Sequence, residues 1–139
     1  MKKKILILCT GNSCRSQIAE GYMKYFANER ADIYSAGVET HGVNPKAIVI
    51  MKEDGIDISN QTSNNIEEYK NVDFDYVITV CDNAKERCPL YPSQTLKLHY
   101  NFPDPAKAIG TDLEILNQFR TVRDLIKDYC KNFVEENLK

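Results

Sequence analysis

Apolar residues in this chain follow two patterns, short unbroken runs and stripes spaced three and four apart, and each predicts its own kind of element. Ile5-Leu6-Ile7-Leu8 is a run of four that ends on Cys9, the make-up of a strand covered on both faces. Ile18, Tyr22, Tyr25 and Phe26 then fall at helical spacing, which predicts a helix over 17–29 with one buried face and Ser16 as its N-cap. Ile33 to Gly37 reads as a short strand running into a turn. Pro45 opens a second helix that extends to Glu53, with Ala47, Ile48 and Met51 as its apolar face and Gly55 as its stop. The polar stretch Ser59 to Asn65 is a loop with a cap, and a short helix follows from Ile66 to Lys70. Tyr76-Val77-Ile78-Thr79-Val80 is β-branched or apolar throughout, a second covered strand, and it too ends on a cysteine, Cys81. Leu96 to Tyr100 predicts a fourth strand at a sheet edge, and 101–110 a loop. From Asp112 to Asn137 the residues Leu113, Leu116, Phe119, Val122, Ile126, Tyr129 and Phe133 form one stripe, which predicts a long terminal helix packed on the core.

Strands alternating with helices predict an α/β fold, a four-stranded parallel sheet inside a three-layer sandwich with right-handed crossovers. At 139 residues the chain is read as a single domain, 1–139, large enough for a core of its own. Ligands of such sheets bind beyond the carboxyl ends of the strands. Cys9 and Cys81 stand at two of those ends, and the loop carrying Asp104 follows a third.

Composition narrows the functional classes. A net charge of −2 and a pI near 5.7 give broad nucleic-acid binding no electrostatic support. Lys2-Lys3-Lys4 precedes only four apolar residues, too few for a signal peptide or a membrane span. The expectation is a cytoplasmic monomer whose five cysteines stay reduced unless they are catalytic. Their odd number argues against a disulfide scaffold, and the lack of any C-x2-C pair against a structural zinc site.

The chemistry concentrates in Cys9-Thr10-Gly11-Asn12-Ser13-Cys14-Arg15-Ser16. A strand, a tight loop and a helix N-terminus in succession form an oxyanion cradle, in which the N–H groups of Thr10, Gly11, Asn12, Ser13, Cys14 and Arg15 converge on one anion. Arg15 adds a bidentate fork. Cys9 at the base would feel loop dipoles, helix dipole and guanidinium, all favouring thiolate, with a pKa of roughly 3.5–7.5 expected. A thiolate facing a tetrahedral oxyanion is set for in-line attack. Asp104, stiffened by Pro103 and Pro105, is a candidate general acid or a solvated turn residue; the residues alone leave both open.

The loop resembles the phosphate-binding loop of the low-molecular-weight protein tyrosine phosphatase superfamily, which includes the thioredoxin-coupled arsenate reductases. Cys14-Arg15-Ser16-Gln17 is similar to the reductases, since the phosphatases typically have proline where Gln17 stands. Ala36-Gly37, His41-Gly42, Asn44-Pro45, Gly55 to Ser63, Cys81, Cys88-Pro89 and Asp104-Pro105-Ala106 extend the likeness to nearly the whole chain. It implies a phosphatase-like, flavodoxin-like topology and an Asp104 general acid, with Ser16 hydrogen-bonded to the thiolate. It also implies reduction of arsenate to arsenite, with phosphate or sulfate as competing oxyanions. In the implied cascade Cys9 forms the adduct, Cys81 attacks the Cys9 sulfur as arsenite leaves, and Cys88 frees Cys9. The resulting Cys81–Cys88 disulfide is returned by thioredoxin, the external reductant. Seven residues of helix would hold those two cysteines roughly 10 Å apart, whereas a disulfide needs Cα atoms within about 7 Å, so a helix between them must unwind.

The resemblance also implies a potassium-like cation near Asn12, Glu20 and Ser35, although Asn64 stands where an aspartate would complete that site. Cys14 receives no catalytic role, Cys130 reads as packing, and His41 and His99 read as structural. The alternatives are a low-molecular-weight phosphatase hydrolysing phosphate monoesters, an activity expected as a residue in the reductase too, and a non-catalytic oxyanion or redox sensor with Cys81 and Cys88 as its switch.

Overall fold

The run Ile5–Leu8 is fully buried because the strand that carries it lies inside the sheet, with a neighbour on each side. The computed structural model describes residues 2–138. Strands β1 (Lys3–Cys9), β2 (Ala31–Gly37), β3 (Tyr76–Thr79) and β4 (Leu96–His99) form one parallel sheet in the order β2-β1-β3-β4. The helices are α1 (Arg15–Ala27), α2 (Pro45–Glu53), α3 (Asp82–Glu86) and α4 (Asp112–Asn137). The step from β1 to β2 runs one way across the sheet and the step from β3 to β4 the other. Right-handed crossovers therefore put α1 and α3 on opposite faces, which yields the three layers. β4 is an edge strand, as its sequence predicts.

Register aligns the functional ends. Cys9 pairs with Gly37, Leu8 with Thr79, and Thr79 with His99, so the residues that follow β1, β3 and β4 emerge at one edge. The order of strands reverses between β1 and β3, the switch point at which α/β sheets open a crevice. Cys9 ends one of those two strands and Cys81 follows the other.

Two apolar positions of the predicted stripes lie outside the core. Tyr25 is 67% exposed, because the buried face of α1 runs through Ile18, Ala19, Tyr22, Met23 and Ala27, and Tyr25 lies only edge-on against Phe26. Leu113 is 63% exposed in the first turn of α4, whose buried face is Phe119, Val122, Ile126, Cys130, Phe133 and Val134. Ile50 rather than Ile48 joins Ala47 and Met51 in the buried face of α2. Ser16 is not the N-cap of α1. That position belongs to Cys14, and Ser16 is buried inside the first turn. Asn44 caps α2, accepting from the Lys46 N–H at 2.8 Å, and Thr111 and Glu114 close a reciprocal capping box on α4. The predicted loop 101–110 contains one short 3-10 turn, Pro105–Lys107, and the short helix after Asn65 is a 3-10 turn over Ile66–Tyr69.

α1, α2 and α4 pack on one another around Tyr22, whose hydroxyl donates to Asp54 at 2.7 Å while Lys127 of α4 reaches the same carboxylate at 2.9 Å. Among the described residues no helix is long and apolar enough to cross a membrane. This packing predicts that Ile126→Ala, at a fully buried position, lowers unfolding free energy by about 2–5 kcal/mol in urea titrations. Leu113→Ala, three turns earlier, is expected to change it by no more than about 0.5 kcal/mol.

Candidate active site

The loop from Cys9 to Cys14 is shaped by where its carbonyls go. The Cys9 carbonyl accepts from the Val38 N–H, Thr10 from Glu39, Gly11 from His41, Ser13 from Asn44 and Cys14 from Ile18. The Asn12 carbonyl accepts from the Gln17 side chain at 3.0 Å. With each carbonyl turned outward, the N–H groups face the concave side, and among the described residues no backbone carbonyl takes an N–H from Gly11 to Arg15. Asn12 makes the tightest bend at φ +49°, a left-handed conformation that Asn tolerates better than most residues. Gly37 lets the strands close on this bend: a Cβ there would sit 2.7 Å from the Thr10 carbonyl and 2.8 Å from the Asn12 nitrogen.

The concave side opens into a cleft of about 270 Å³ lined by Cys9, Thr10, Gly11, Ser13, Cys14, Arg15, His41, Asp104 and Ala106. The sequence-predicted cradle, nucleophile, guanidinium and acid are thus brought together. Arg15 donates from Nη1 to the Phe102 carbonyl at 2.9 Å, and its Nη2 lies 3.6 Å from Asp104 Oδ2. Asp104 itself caps the 3-10 turn that follows it, accepting from the Ala106 N–H at 3.0 Å. The acid loop therefore holds the guanidinium over the cleft, and the guanidinium in turn holds the carboxyl at its rim.

The two strand-end thiols perturb one another, Cys9 from this cleft and Cys81 from the adjoining one, and the Thr10 Oγ1 lies 3.2 Å from the Cys81 sulfur. The pair gives up its first proton easily and its second with difficulty. Cys81 is drawn down to about 5, by the hydrogen bond from Cys9 first, then by Thr10, the Ala84 N–H and the Arg15 charge, against the opposing effect of burial. Cys9 is pushed up, by that same bond to Cys81 and by burial, although Arg15 and the Thr10 backbone pull the other way as expected. The lowered Cys9 pKa read from the sequence is thus corrected. Its predicted perturbers, Arg15 and the Thr10 backbone, are in place and pull it down, but the neighbouring Cys81 and burial outweigh them. Burial pushes the Cys14 thiol up to about 12, in keeping with an inert residue.

Cys88 stands apart. It lies beyond α3 and lines a separate depression of about 400 Å³ with Lys85, Lys97 and His99, among others. Burial raises its pKa and the Lys97 charge opposes that rise. All five cysteines are free thiols, and α3 is wound between Cys81 and Cys88. Cys130 is fully buried against the Ala19 carbonyl, the packing role read from sequence.

Behind the loop a buried polar chain differs from expectation. Ser16 accepts from Asn12 Nδ2 at 2.8 Å, and no hydrogen bond from Ser16 to Cys9 occurs among the described residues. Asn12 Nδ2 also donates to Ser35, whose hydroxyl donates to Glu20, and Asn12 Oδ1 accepts from the Asn64 N–H at 2.7 Å. The second Glu20 oxygen is ion-paired with Lys24. The residues expected to hold a potassium-like cation therefore engage one another, and the charge of Glu20 is already met by an ammonium. No buried side-chain oxygen or nitrogen among the described residues lacks a partner. Likewise no group of three or more His, Cys, Asp or Glu among the described residues is placed to hold a metal ion.

Several supporting contacts carry no signal in the sequence. Gln17 ties the loop to the Thr62 carbonyl at 2.9 Å, Asn83 donates to Thr10 Oγ1 at 2.9 Å, and His99 bridges Thr79 at 2.7 Å and Asp82 at 2.8 Å. Each acts across elements that are distant in the chain, where no spacing rule reaches.

Residues 4–139 match the family described as low molecular weight phosphotyrosine protein phosphatase. An arsenate reductase of Halalkalibacterium halodurans is 52% identical over 134 residues, covering 96% of each chain. A solved arsenate reductase in an oxidized state superposes with a TM-score of 0.84 at 35% identity, over 96% of this chain and 98% of that one. Another, in a phosphate binding state, gives 0.78 at 35% identity over 99% of both. The outward-facing carbonyls, the cysteine at the base of the cleft and these matches agree, and the chain belongs to the low molecular weight phosphotyrosine protein phosphatase family.

Proposed function

We propose that this protein reduces arsenate to arsenite. The observation that carries the reading is a second thiol, Cys81, following the neighbouring strand end beside Cys9, with Thr10 of the oxyanion loop 3.2 Å from its sulfur. Phosphoryl transfer needs a single nucleophile and a water, whereas a second thiol against the first supplies electrons. The 52% identical arsenate reductase supports the same branch, and the structure in a phosphate binding state supports a tetrahedral oxyanion as the ligand class. Among the described residues no Phe, Tyr or Trp lines the cleft to stack an aryl ester, which favours a small inorganic oxyanion over phosphotyrosine.

In this mechanism the loop N–H groups and Arg15 bind arsenate, and an arsenate oxygen takes the proton of Cys9, so that Cys9 becomes the thiolate nucleophile while Cys81 keeps its own charge. The Cys9 thiolate attacks arsenic, a Cys9–As bond forms, and the departing oxygen takes a proton from Asp104 and leaves as water. Deprotonated Cys81 then attacks the Cys9 sulfur. The S–S bond forms, the S–As bond breaks, and its electron pair stays on arsenic, which departs as arsenite. Cys88, brought over by unwinding of α3, attacks the Cys81 sulfur and releases Cys9 as thiolate. The Cys81–Cys88 disulfide is reduced by an external dithiol protein of the thioredoxin class. The setting is the cytoplasm, where such reductants are abundant, and the working unit is a monomer. Slow hydrolysis of phosphate monoesters is a side activity of the same loop.

The test is NADPH consumption with arsenate, thioredoxin and thioredoxin reductase, followed by alkylation and peptide mapping of protein stopped without thioredoxin. Sustained arsenate-dependent consumption and a mapped Cys81–Cys88 disulfide are expected. Absence of both, beside brisk aryl phosphate hydrolysis, would leave the phosphatase reading. Cys88→Ser is expected to release one arsenite per protein and stop with Cys9 and Cys81 bridged, whereas Cys81→Ser releases none, as quantified by arsenite detection in single turnover. Asp104→Asn should lower arsenite formation by about 10²–10⁴-fold in steady-state assays, while retaining oxyanion binding measured by calorimetry.

A further inference from the structure

The Thr10 hydroxyl has one proton to give and two neighbours that could take part. Its oxygen lies 3.2 Å from the Cys81 sulfur and 2.9 Å from Asn83 Nδ2. The amide nitrogen can only donate, so the Thr10 oxygen is the acceptor in that bond. The hydroxyl proton is then free to point along the other direction, at sulfur.

We infer that Asn83 is a positioning residue for Cys81: by donating to Thr10 from the first turn of α3, it aims the Thr10 hydroxyl proton at the Cys81 sulfur. Without Asn83 the hydroxyl can rotate and donate to water or elsewhere, and Cys81 loses a directed donor. The bond is an unusual one, for it joins the oxyanion loop after β1 to the helix after β3, across 73 positions of chain. The cleft of about 370 Å³ that both residues line also holds Arg15 and Lys107 as cations and Asp82 and Asp104 as anions, with Asn101 beside them. Cys9 faces Cys81 from β1. Replacing neutral Asn83 with another neutral residue leaves every one of those charges in place.

The placement has a consequence for the cycle. Asn83 reaches Thr10 from the wound form of α3, so the support it lends Cys81 lasts while α3 is wound. The movement that would bring Cys88 to Cys81 takes Asn83 away from Thr10. Cys81 is therefore supported as a thiolate in the resting reduced protein and loses that support as the segment opens. This inference rests on the reading that Cys81 acts as a thiolate, but its test needs no arsenate, so the two can fail separately.

The test is the pH profile of Cys81 alkylation by iodoacetamide in the reduced full-length protein, read by mass spectrometry of the Cys81 peptide. Asn83→Ala is expected to move the midpoint upward by about one unit, the effect of one hydrogen bond to a charged group. Thr10→Val should move it at least as far, and the double variant no further than Thr10→Val alone, because Asn83 acts through Thr10. A role confined to holding α3 together would show as faster amide exchange across 82–86 in Asn83→Ala, so unchanged exchange there beside a moved midpoint separates positioning from mere support of the helix. Asn83→Asp, matched in size and read at high salt, can only accept from Thr10 and should shift the midpoint upward as well. An unmoved midpoint in Asn83→Ala and Asn83→Asp, or full additivity in the double variant, would overturn the assignment.

Discussion

The outward rotation of the carbonyls from Cys9 to Cys14 is the constraint on which the site depends. Six acceptors in a row find partners behind the loop, from Val38, Glu39, His41, Asn44, Ile18 and the Gln17 side chain. A buried carbonyl without a partner costs of order 1–3 kcal/mol, so the surrounding chain holds the loop in this one conformation before any anion arrives. Donors held in place in this way need no reorganisation when charge develops, which is the basis of electrostatic catalysis at such loops. Asn12 joins the two sides of the arrangement, with its backbone in the left-handed region and its side chain in the buried chain through Ser16, Ser35 and Glu20.

The two thiols at the strand ends illustrate how position sets chemistry. Either cysteine alone at a buried strand end would be an unreactive small hydrophobe. Placed side by side, they titrate as a pair. Cys9, Thr10, the Ala84 N–H and the Arg15 charge pull Cys81 down, while the neighbouring thiol and burial push Cys9 up. An oxyanion in the cradle alters this balance, because it engages Arg15 and the loop N–H groups that otherwise act on sulfur.

α3 is the movable part. Five residues are too few for a helix that would stand alone in water, so its winding is maintained by what it touches. Those contacts are the burial of Ala84 in the core and three polar links: Asp82 to His99, the Asp82 N–H to Asn101 Oδ1 at 3.1 Å, and Asn83 to Thr10. Such an element belongs to the low-stability end of a fold, where local opening is inexpensive. Cys81 and Cys88 flank it, one in the active cleft and the other outside it.

The sequence by itself determined the strands, the three longer helices and their order, because each rests on a local pattern, whereas α3 entered it only as the condition that the chain between Cys81 and Cys88 be helical. The apolar runs at Ile5–Leu8 and Tyr76–Val80 mark covered strands, Pro45 and Gly55 bound α2, and the long stripe sets α4 over the very residues expected. It also placed Cys9, Arg15 and Asp104 at one edge, since strand ends of a parallel sheet converge by topology. Tyr25 and Leu113 escaped it because spacing tells which residues share a face but not how far a neighbouring element extends over that face. Ser16 escaped it because helix capping depends on a dihedral angle at Cys14 that no residue type dictates. Only the tertiary structure decided that Thr10 meets the Cys81 sulfur, that Ser35 meets Glu20, and that Asn83 reaches Thr10. Those outcomes turn on distances between side chains brought together from separate elements, and a chain read in one dimension carries no such distances.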